Sequence, residues 1–163
     1  MTTGFPPTTP SPSAPALITA DLVDLDLTGA DRHEATGSLL ARLVKQGRVT
    51  DAEGFLADVR AREEQMPTGI EGGIGIPHAR SEHVTEPTLA FGRCTAGVDF
   101  GAADGPADLI FLIAAPAGGG QEHMKVLSSL ARRLVHQSFR DALRAASSPD
   151  AVVELVQKEV LGR

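Results

Sequence analysis

Leu109-Ile110-Phe111-Leu112-Ile113, inside the run Asp108 to Ala115, is apolar at every position and shows no alternation. A strand with one wet face alternates apolar and polar side chains; a strand covered on both faces does not. The run therefore reads as a central strand with a layer on each side. Asp104-Gly105 marks a turn before it, and Pro116 with Gly118-Gly119-Gly120 breaks it.

Working upstream, Gly72-Gly73-Ile74-Gly75-Ile76-Pro77-His78-Ala79-Arg80 is glycine-rich backbone, a short apolar strand, a proline and then a histidine. Ile74 and Ile76 alternate with glycine, the period of a strand with one buried face. Pro77 has no N–H for a sheet ladder, so pairing stops there or continues only along an edge. His78 is then presented at the sheet rim. An imidazole in that place suits a nucleophile or a metal ligand, and equally an ordinary surface histidine in a turn.

The rest of the chain alternates strands and helices. Thr88 to Arg93 reads as a strand with Leu89 and Phe91 on one face, and Leu22 to Leu27 as a first strand or edge. Asp31 to Gln46 reads as a helix with Ala35, Leu39, Leu40, Leu43 and Val44 inward and Gly47 at its C-terminal cap. Thr50-Asp51-Ala52-Glu53 has capping-box form and opens a helix that turns Phe55, Leu56 and Val59 inward and ends near Arg62 and Glu63. The loop Gln65 to Gly73 has no helical period.

Beyond the central strand, a helix from near Gln121 places Met124, Leu127, Leu130, Ala131 and Leu134 at 3–4 spacing. A shorter one runs from about Ser138 to Ala146. Ser148 and Pro149 cap the last, Val152 to Val160. The expected class is α/β: a small mixed sheet with helices on both faces, in a single domain. That domain covers residues 17–163; residues 1–16, rich in Pro, Thr and Ser, read as a disordered tail.

With 163 residues and 42% apolar residues, such a domain buries roughly 70% of its extended surface. The net charge of -6 and the absence of any Lys/Arg block argue against nucleic acid or an anionic membrane as partner. One cysteine, Cys94, leaves no internal disulfide and fits a reducing cytosol. The N-terminus lacks the basic and apolar regions of a signal peptide, and no run approaches the roughly 18 apolar residues of a membrane helix. The expected location is cytoplasmic.

The segment Gly-Ile-x-Ile-Pro-His-Ala, preceded by Arg62-Glu63 and Thr68-Gly69, resembles the active-site signature of the enzyme IIA domains of the bacterial phosphoenolpyruvate-dependent sugar phosphotransferase system, fructose/mannitol class. Gln121-Glu122-His123-Met124-Lys125-Val126-Leu127 resembles the same family's second histidine segment, at the start of a helix. The likeness runs from Leu17 to the C-terminus. It implies that His78 takes a phosphoryl group from phosphorylated HPr and gives it to a cysteine of a cognate enzyme IIB, with no metal and no organic cofactor. Such a chain is a phosphotransferase, part of or associated with a membrane permease IIC.

The residue chemistry agrees. A neutral imidazole nitrogen is a good nucleophile at pH 7, and phosphoryl transfer needs positioning and charge stabilisation above all. Arg62 matches the family's active-site arginine, and a guanidinium holds phosphate oxygens bidentately; by spacing alone it is a solvated residue at a helix end. Thr68 either donates its hydroxyl to the phosphoryl group or caps the turn. His123, at a helix N-terminus, is assigned stabilisation and orientation of the phosphoryl group.

Three positions depart from the family's usual pattern. Gly75 replaces the more usual Ala and loosens the strand. Arg80 adds a positive charge that helps dock a phosphorylated donor or pairs with Glu82. Glu122 places an acid beside His123. The remaining histidines carry no role, His33 in the first turn of a helix and His136 at a helix end, and Cys94 reads as ordinary structure.

The fructose branch is favoured by resemblance to the N-terminal IIA portion of fructose permeases in Asp21-Leu22-Val23-Asp24-Leu25, in the stretch from Asp99-Phe100-Gly101-Ala102 to Gly105-Pro106-Ala107-Asp108, and in the Ala114-Ala115-Pro116-Ala117-Gly118 loop. Two alternatives stand beside it: a regulatory domain of the nitrogen-related type that acts by phosphorylation-dependent binding to proteins, and a metal-dependent hydrolase built on His78, His83 and His123. The sequence leaves open the sugar, the oligomeric state and membership in a longer permease.

Overall fold

The computed structural model describes residues 16–118 and 122–162. Residues 1–15 of the expected tail, and Gly119, Gly120 and Gln121 of the second histidine segment, lie outside them.

The apolar run is the spine of the sheet. β6 (Ala107–Pro116) pairs antiparallel with β5 (Thr88–Val98) on one side, with Phe91 opposite Phe111. On its other side it pairs in parallel with β3 (Ile74–Gly75) and β4 (His78–Ser81). β1 (Val23–Asp24) runs parallel to β5, and β2 (Gly69–Ile70) antiparallel to β3. The order is β1-β5-β6-β3-β2, with β4 also on β6. This is the mixed sheet expected. β6 is buried from Leu109 to Ala115, because side chains of both parities meet a covering layer.

The expected first strand is cut to two residues. A 3₁₀ turn, Ala20–Leu22, precedes it, and the Asp24 carboxylate accepts the Asp26 N–H at 2.9 Å, which turns the chain out of the sheet. The loop before Gly73 contains β2, too short to announce itself by periodicity.

Helix α1 (Arg32–Lys45) opens on Asp31, whose carboxylate accepts the Glu34 N–H. It closes on Gly47 at φ 73°, with Arg48 N–H donating to Leu43 O and Gly47 N–H to Val44 O. That paired closure is why a residue free to adopt positive φ stands there. Val44, expected inward, is 41% exposed: it lies one step round the helix from buried Leu43, in the last turn. α2 (Ala52–Gln65) is capped by Asp51, whose carboxylate accepts from Gly54 N–H, and not by Thr50. The Thr50 hydroxyl instead donates to His83 O. Phe55 and Val59 face inward as expected.

α3 (Glu122–Leu134) and α4 (Gln137–Ala145) follow β6, and α5 (Pro149–Glu159) starts behind the Ser148 cap with Pro149 in its first turn. Because a proline at the first helical position needs no N–H acceptor, this helix begins earlier than its apolar stripe suggests. α1 and α2 pack on each other and on β5 and β4; α3 and α4 pack on β6, and α5 on β1. Arg93 of β5 donates to the carbonyls of Leu143, Arg144 and Ala146, which satisfies the end of α4. Burial pushes the Arg48 guanidinium down from its ordinary value, with Glu86 pulling it back; it ties Thr88 Oγ1 to the carbonyl of Ala16.

Gly75 does not loosen the strand. A Cβ there would stand 2.6 Å from the ring of Phe100, which is fully buried and has nowhere to turn. The ring occupies the space that an alanine Cβ would fill. Gly75→Ala is expected to destabilise the domain by about 1–3 kcal/mol through overpacking, lowering Tm by roughly 3–10 °C in a calorimetric scan.

Candidate active site

β3 and β4 share one register along β6: Ile74 lies opposite Leu109, Gly75 opposite Ile110, and His78 opposite Ile113. They form a single extended path interrupted at Ile76-Pro77. Pro77 cannot donate to β6, although its carbonyl still accepts the Ile113 N–H at 3.0 Å. The interruption falls directly before His78, which opens an edge strand half-buried under α2.

A backbone carbonyl holds the imidazole at Nδ1. His78 Nδ1 lies 2.8 Å from the Ile76 carbonyl. A carbonyl oxygen can only accept, so in the neutral ring Nδ1 carries the proton and Nε2 the lone pair.

The cleft beside His78 is lined from α2 by Asp58, Ala61, Arg62 and Gln65, from β4 by Ala79 and Arg80, and from α3 by Leu127. Asp58, Arg62 and Gln65 recur at helical spacing, so they share one face of α2. Arg62 NH1 donates to Met66 O at 3.1 Å, which folds the side chain back over the helix end. Arg80 NH2 donates to Ala117 O at 2.9 Å. Asp58 accepts the Ser81 hydroxyl at 2.6 Å and so ties α2 to β4. Two guanidinium groups thus border an imidazole whose tautomer is set, an arrangement suited to a nucleophile acting on a multiply charged oxyanion.

Thr68 is buried, and its hydroxyl donates to Glu63 Oε1 at 2.6 Å while its N–H donates to Glu63 Oε2 at 2.8 Å. Of the two readings of Thr68, the turn role is the one these bonds describe. Glu63 itself, 5% exposed, also accepts from Arg32 at 3.1 Å. Sequence reasoning gave Glu63 no task of its own, and gave none to Asp58 or Ser81. The four-residue step from Asp58 to Arg62 was the one signal that could have placed Asp58 at the site.

The hairpin before the site is clamped. Gly72 N–H donates to Asp104, Gly73 O accepts from Asp108 and Leu109 N–H, and Arg144 reaches Gly72 O at 2.5 Å. Arg144 also grips Asp108 with two bonds, at 2.8 and 2.9 Å, and the bond to Asp108 raises its pKa from the ordinary value.

His123 stands in the first turn of α3, one turn before Leu127; its side chain lies outside the described residues. His83 does not join His78. It packs against the other end of α2, with Nδ1 3.9 Å from Asp51 and its ring over Gly54. The three-histidine metal reading loses that member. His33 lies in the first turn of α1, His136 precedes α4, and Cys94 is buried in β5. Among the described residues no helix is long and apolar enough to cross a membrane.

The chain is similar to proteins of known family. Residues 16–159 match the family model described as phosphoenolpyruvate-dependent sugar phosphotransferase system, EIIA 2. A fructose-specific EIIA component of Haloferax volcanii is 40% identical over 141 residues, 86% of this chain and 92% of that one. The fructose-specific EIIABC component of Bacillus subtilis is 34% identical over 143 residues, but the chain spans only 22% of its length. Among solved structures, the nitrogen regulatory protein IIA-Ntr from Neisseria meningitidis superposes with a TM-score of 0.79 at 29% identity, covering 86% of this chain and 96% of that one. Enzyme IIA mannitol in its complex with phosphorylated IIB from Escherichia coli gives 0.73 at 29% identity, covering 90% and 98%.

Proposed function

This chain belongs to the EIIA type 2 family of the sugar phosphotransferase system, and on that footing we propose that it takes a phosphoryl group from phosphorylated HPr onto Nε2 of His78 and passes it to a cysteine of a cognate enzyme IIB. The observation that carries the assignment is the 2.8 Å bond from His78 Nδ1 to Ile76 O. It leaves the lone pair on Nε2, and it stays favourable as the reaction proceeds. When Nε2 bonds phosphorus the ring gains positive charge, and the carbonyl dipole at Nδ1–H meets that charge.

In the forward step the Nε2 lone pair attacks phosphorus as the bond to the donor's histidine nitrogen breaks, and the electron pair returns to the donor ring. In the second step the acceptor's thiolate attacks, the Nε2–P bond breaks, and His78 recovers its lone pair. Little covalent chemistry is asked of the protein; it must align the groups and offset charge on the equatorial oxygens. Arg62 binds those oxygens, Arg80 adds charge at the rim, and His123 at the start of α3 orients the group. Thr68 acts through Glu63 and does not contact the phosphoryl group directly.

The chain works in the cytoplasm beside a membrane permease IIC in fructose-type uptake. The likeness to a nitrogen regulatory protein supports the second reading, a regulatory phosphoprotein with the same histidine chemistry. Incubation with phosphorylated HPr followed by a fructose-type IIB tests both. One acid-labile phosphoryl group that IIB removes is the expected result. Labelling without discharge to any IIB supports the regulatory reading, and no labelling overturns the assignment.

A further inference from the structure

The hairpin β2–β3 leaves one hydrogen bond unmade, and the reason lies in a buried carboxylate. Gly69 lies opposite Gly75 and Ile70 opposite Ile74, so Thr68 continues the ladder opposite Ile76. Residues facing each other at a hydrogen-bonded position of an antiparallel pair exchange two bonds, each N–H going to the other's carbonyl. One of the two is present: Ile76 N–H donates to Thr68 O at 3.2 Å. The reciprocal bond would carry Thr68 N–H to Ile76 O. Instead Thr68 N–H goes to Glu63 Oε2 at 2.8 Å, and Ile76 O accepts from His78 Nδ1 at 2.8 Å.

We propose that Glu63 is a positioning residue which, by capturing the Thr68 amide, keeps the Ile76 carbonyl available to His78 and so sets which imidazole nitrogen is nucleophilic. A charged carboxylate outcompetes a neutral carbonyl for the same N–H. Glu63 holds its place because three donors converge on it: Thr68 N–H, the Thr68 hydroxyl and Arg32. At 5% exposure it has little contact with water that could replace them. Remove the carboxylate, and the acceptor that the ladder register offers the Thr68 amide is Ile76 O. The His78 Nδ1–H then has a competitor, and the ring can turn over to the Nε2–H form, which presents no lone pair to phosphorus. Pro77 serves the same end, since the path of the strand breaks there and His78 can bend back onto the carbonyl two residues before it.

This inference deepens the assignment of His78 as phosphoryl acceptor and rests on it for its meaning, but it can be tested without phosphate. Long-range proton–nitrogen spectra of histidine-labelled protein report the tautomer of His78 directly. The wild type is expected to show the Nδ1–H form. Glu63→Met removes the acceptor while filling the same buried space; about nine-tenths of His78 should convert to the Nε2–H form, and phosphorylation by phosphorylated HPr should slow about tenfold, in step with the lost Nδ1–H fraction. Glu63→Gln keeps an oxygen acceptor for the amide and should retain the Nδ1–H form with a rate within about threefold of wild type. A purely structural role would lower the Tm of both variants without moving the tautomer, and a Glu63→Met protein with an unchanged Nδ1–H signal overturns the proposal.

Should Glu63→Met fail to fold, through-hydrogen-bond couplings in the wild type decide. A coupling from Thr68 nitrogen to the Glu63 carboxyl carbon is expected, and one to the Ile76 carbonyl carbon contradicts it. If His78 is not the phosphoryl acceptor, these spectra are unaffected while phosphorylation of the wild type at His78 is absent, so the two failures are told apart.

Discussion

His78→Gln is expected to accept no phosphoryl group from phosphorylated HPr, with a loss of at least about 10⁴-fold in the rate of labelling, because the substitution removes the proposed nucleophile. Intact-mass spectrometry after a timed incubation measures it. The fold should persist. His78 is half-buried on an edge strand, and its ladder bonds to β6 are made by backbone, which the substitution leaves in place. A Tm within a few degrees of wild type is expected beside the total loss of labelling. Labelling of His78→Gln at the wild-type rate would move the nucleophile elsewhere.

The second large effect is expected at Arg62. Arg62→Ala should slow phosphorylation by about 10²–10³-fold, the usual cost of removing one preorganised charge from a developing oxyanion. Arg62→Lys should recover only part of this, since an ammonium cannot offer two parallel bonds to phosphate oxygens. The residue is placed for the task by α2: it follows Asp58 by one turn on the face that borders His78, and its bond to Met66 O holds it near the mouth of the cleft. That bond is exposed, so its loss should cost about 1 kcal/mol or less. The discriminating result is therefore a rate that falls far more than stability does, read in stopped-flow labelling beside thermal melts.

How much of this was legible in the sequence depends on the range of the forces involved. The unbroken apolar run Leu109 to Ile113 announced a central strand because burial on both faces leaves a local composition mark, and β6 is that strand. Pro77 announced the edge placement of His78, since a missing N–H is local too. Ser148 and Pro149 announced the start of α5 for the same reason. β2 and β1 were not legible at their true lengths: two-residue strands carry no period, and the turn that truncates β1 depends on one Asp24 side-chain bond. Asp51 is the cap, and the Thr50 hydroxyl goes to the carbonyl of His83, a partner remote in sequence.

The site divides along the same line. His78 and Arg62 stood in a motif, and the fold brings both to one cleft. Thr68 was ambiguous because a hydroxyl near a glycine serves turns and ligands alike; its bond to Glu63 resolves where the proton goes. Glu63 was hidden for a subtler reason. What it does is withhold an amide from a carbonyl, and a bond that is not made leaves no trace in composition or spacing. Gly75 was misjudged since the Phe100 ring that fills its place comes from a loop far along the chain.

The most direct test of the whole account is the position of the phosphoryl group on the ring. Nitrogen-15 and phosphorus NMR of histidine-labelled protein, phosphorylated by HPr, distinguishes the two imidazole nitrogens. A phosphoryl group on Nε2 of His78, with Nδ1 still protonated against Ile76, is the predicted result. A phosphoryl group on Nδ1 of His78, or on any other residue, would contradict it.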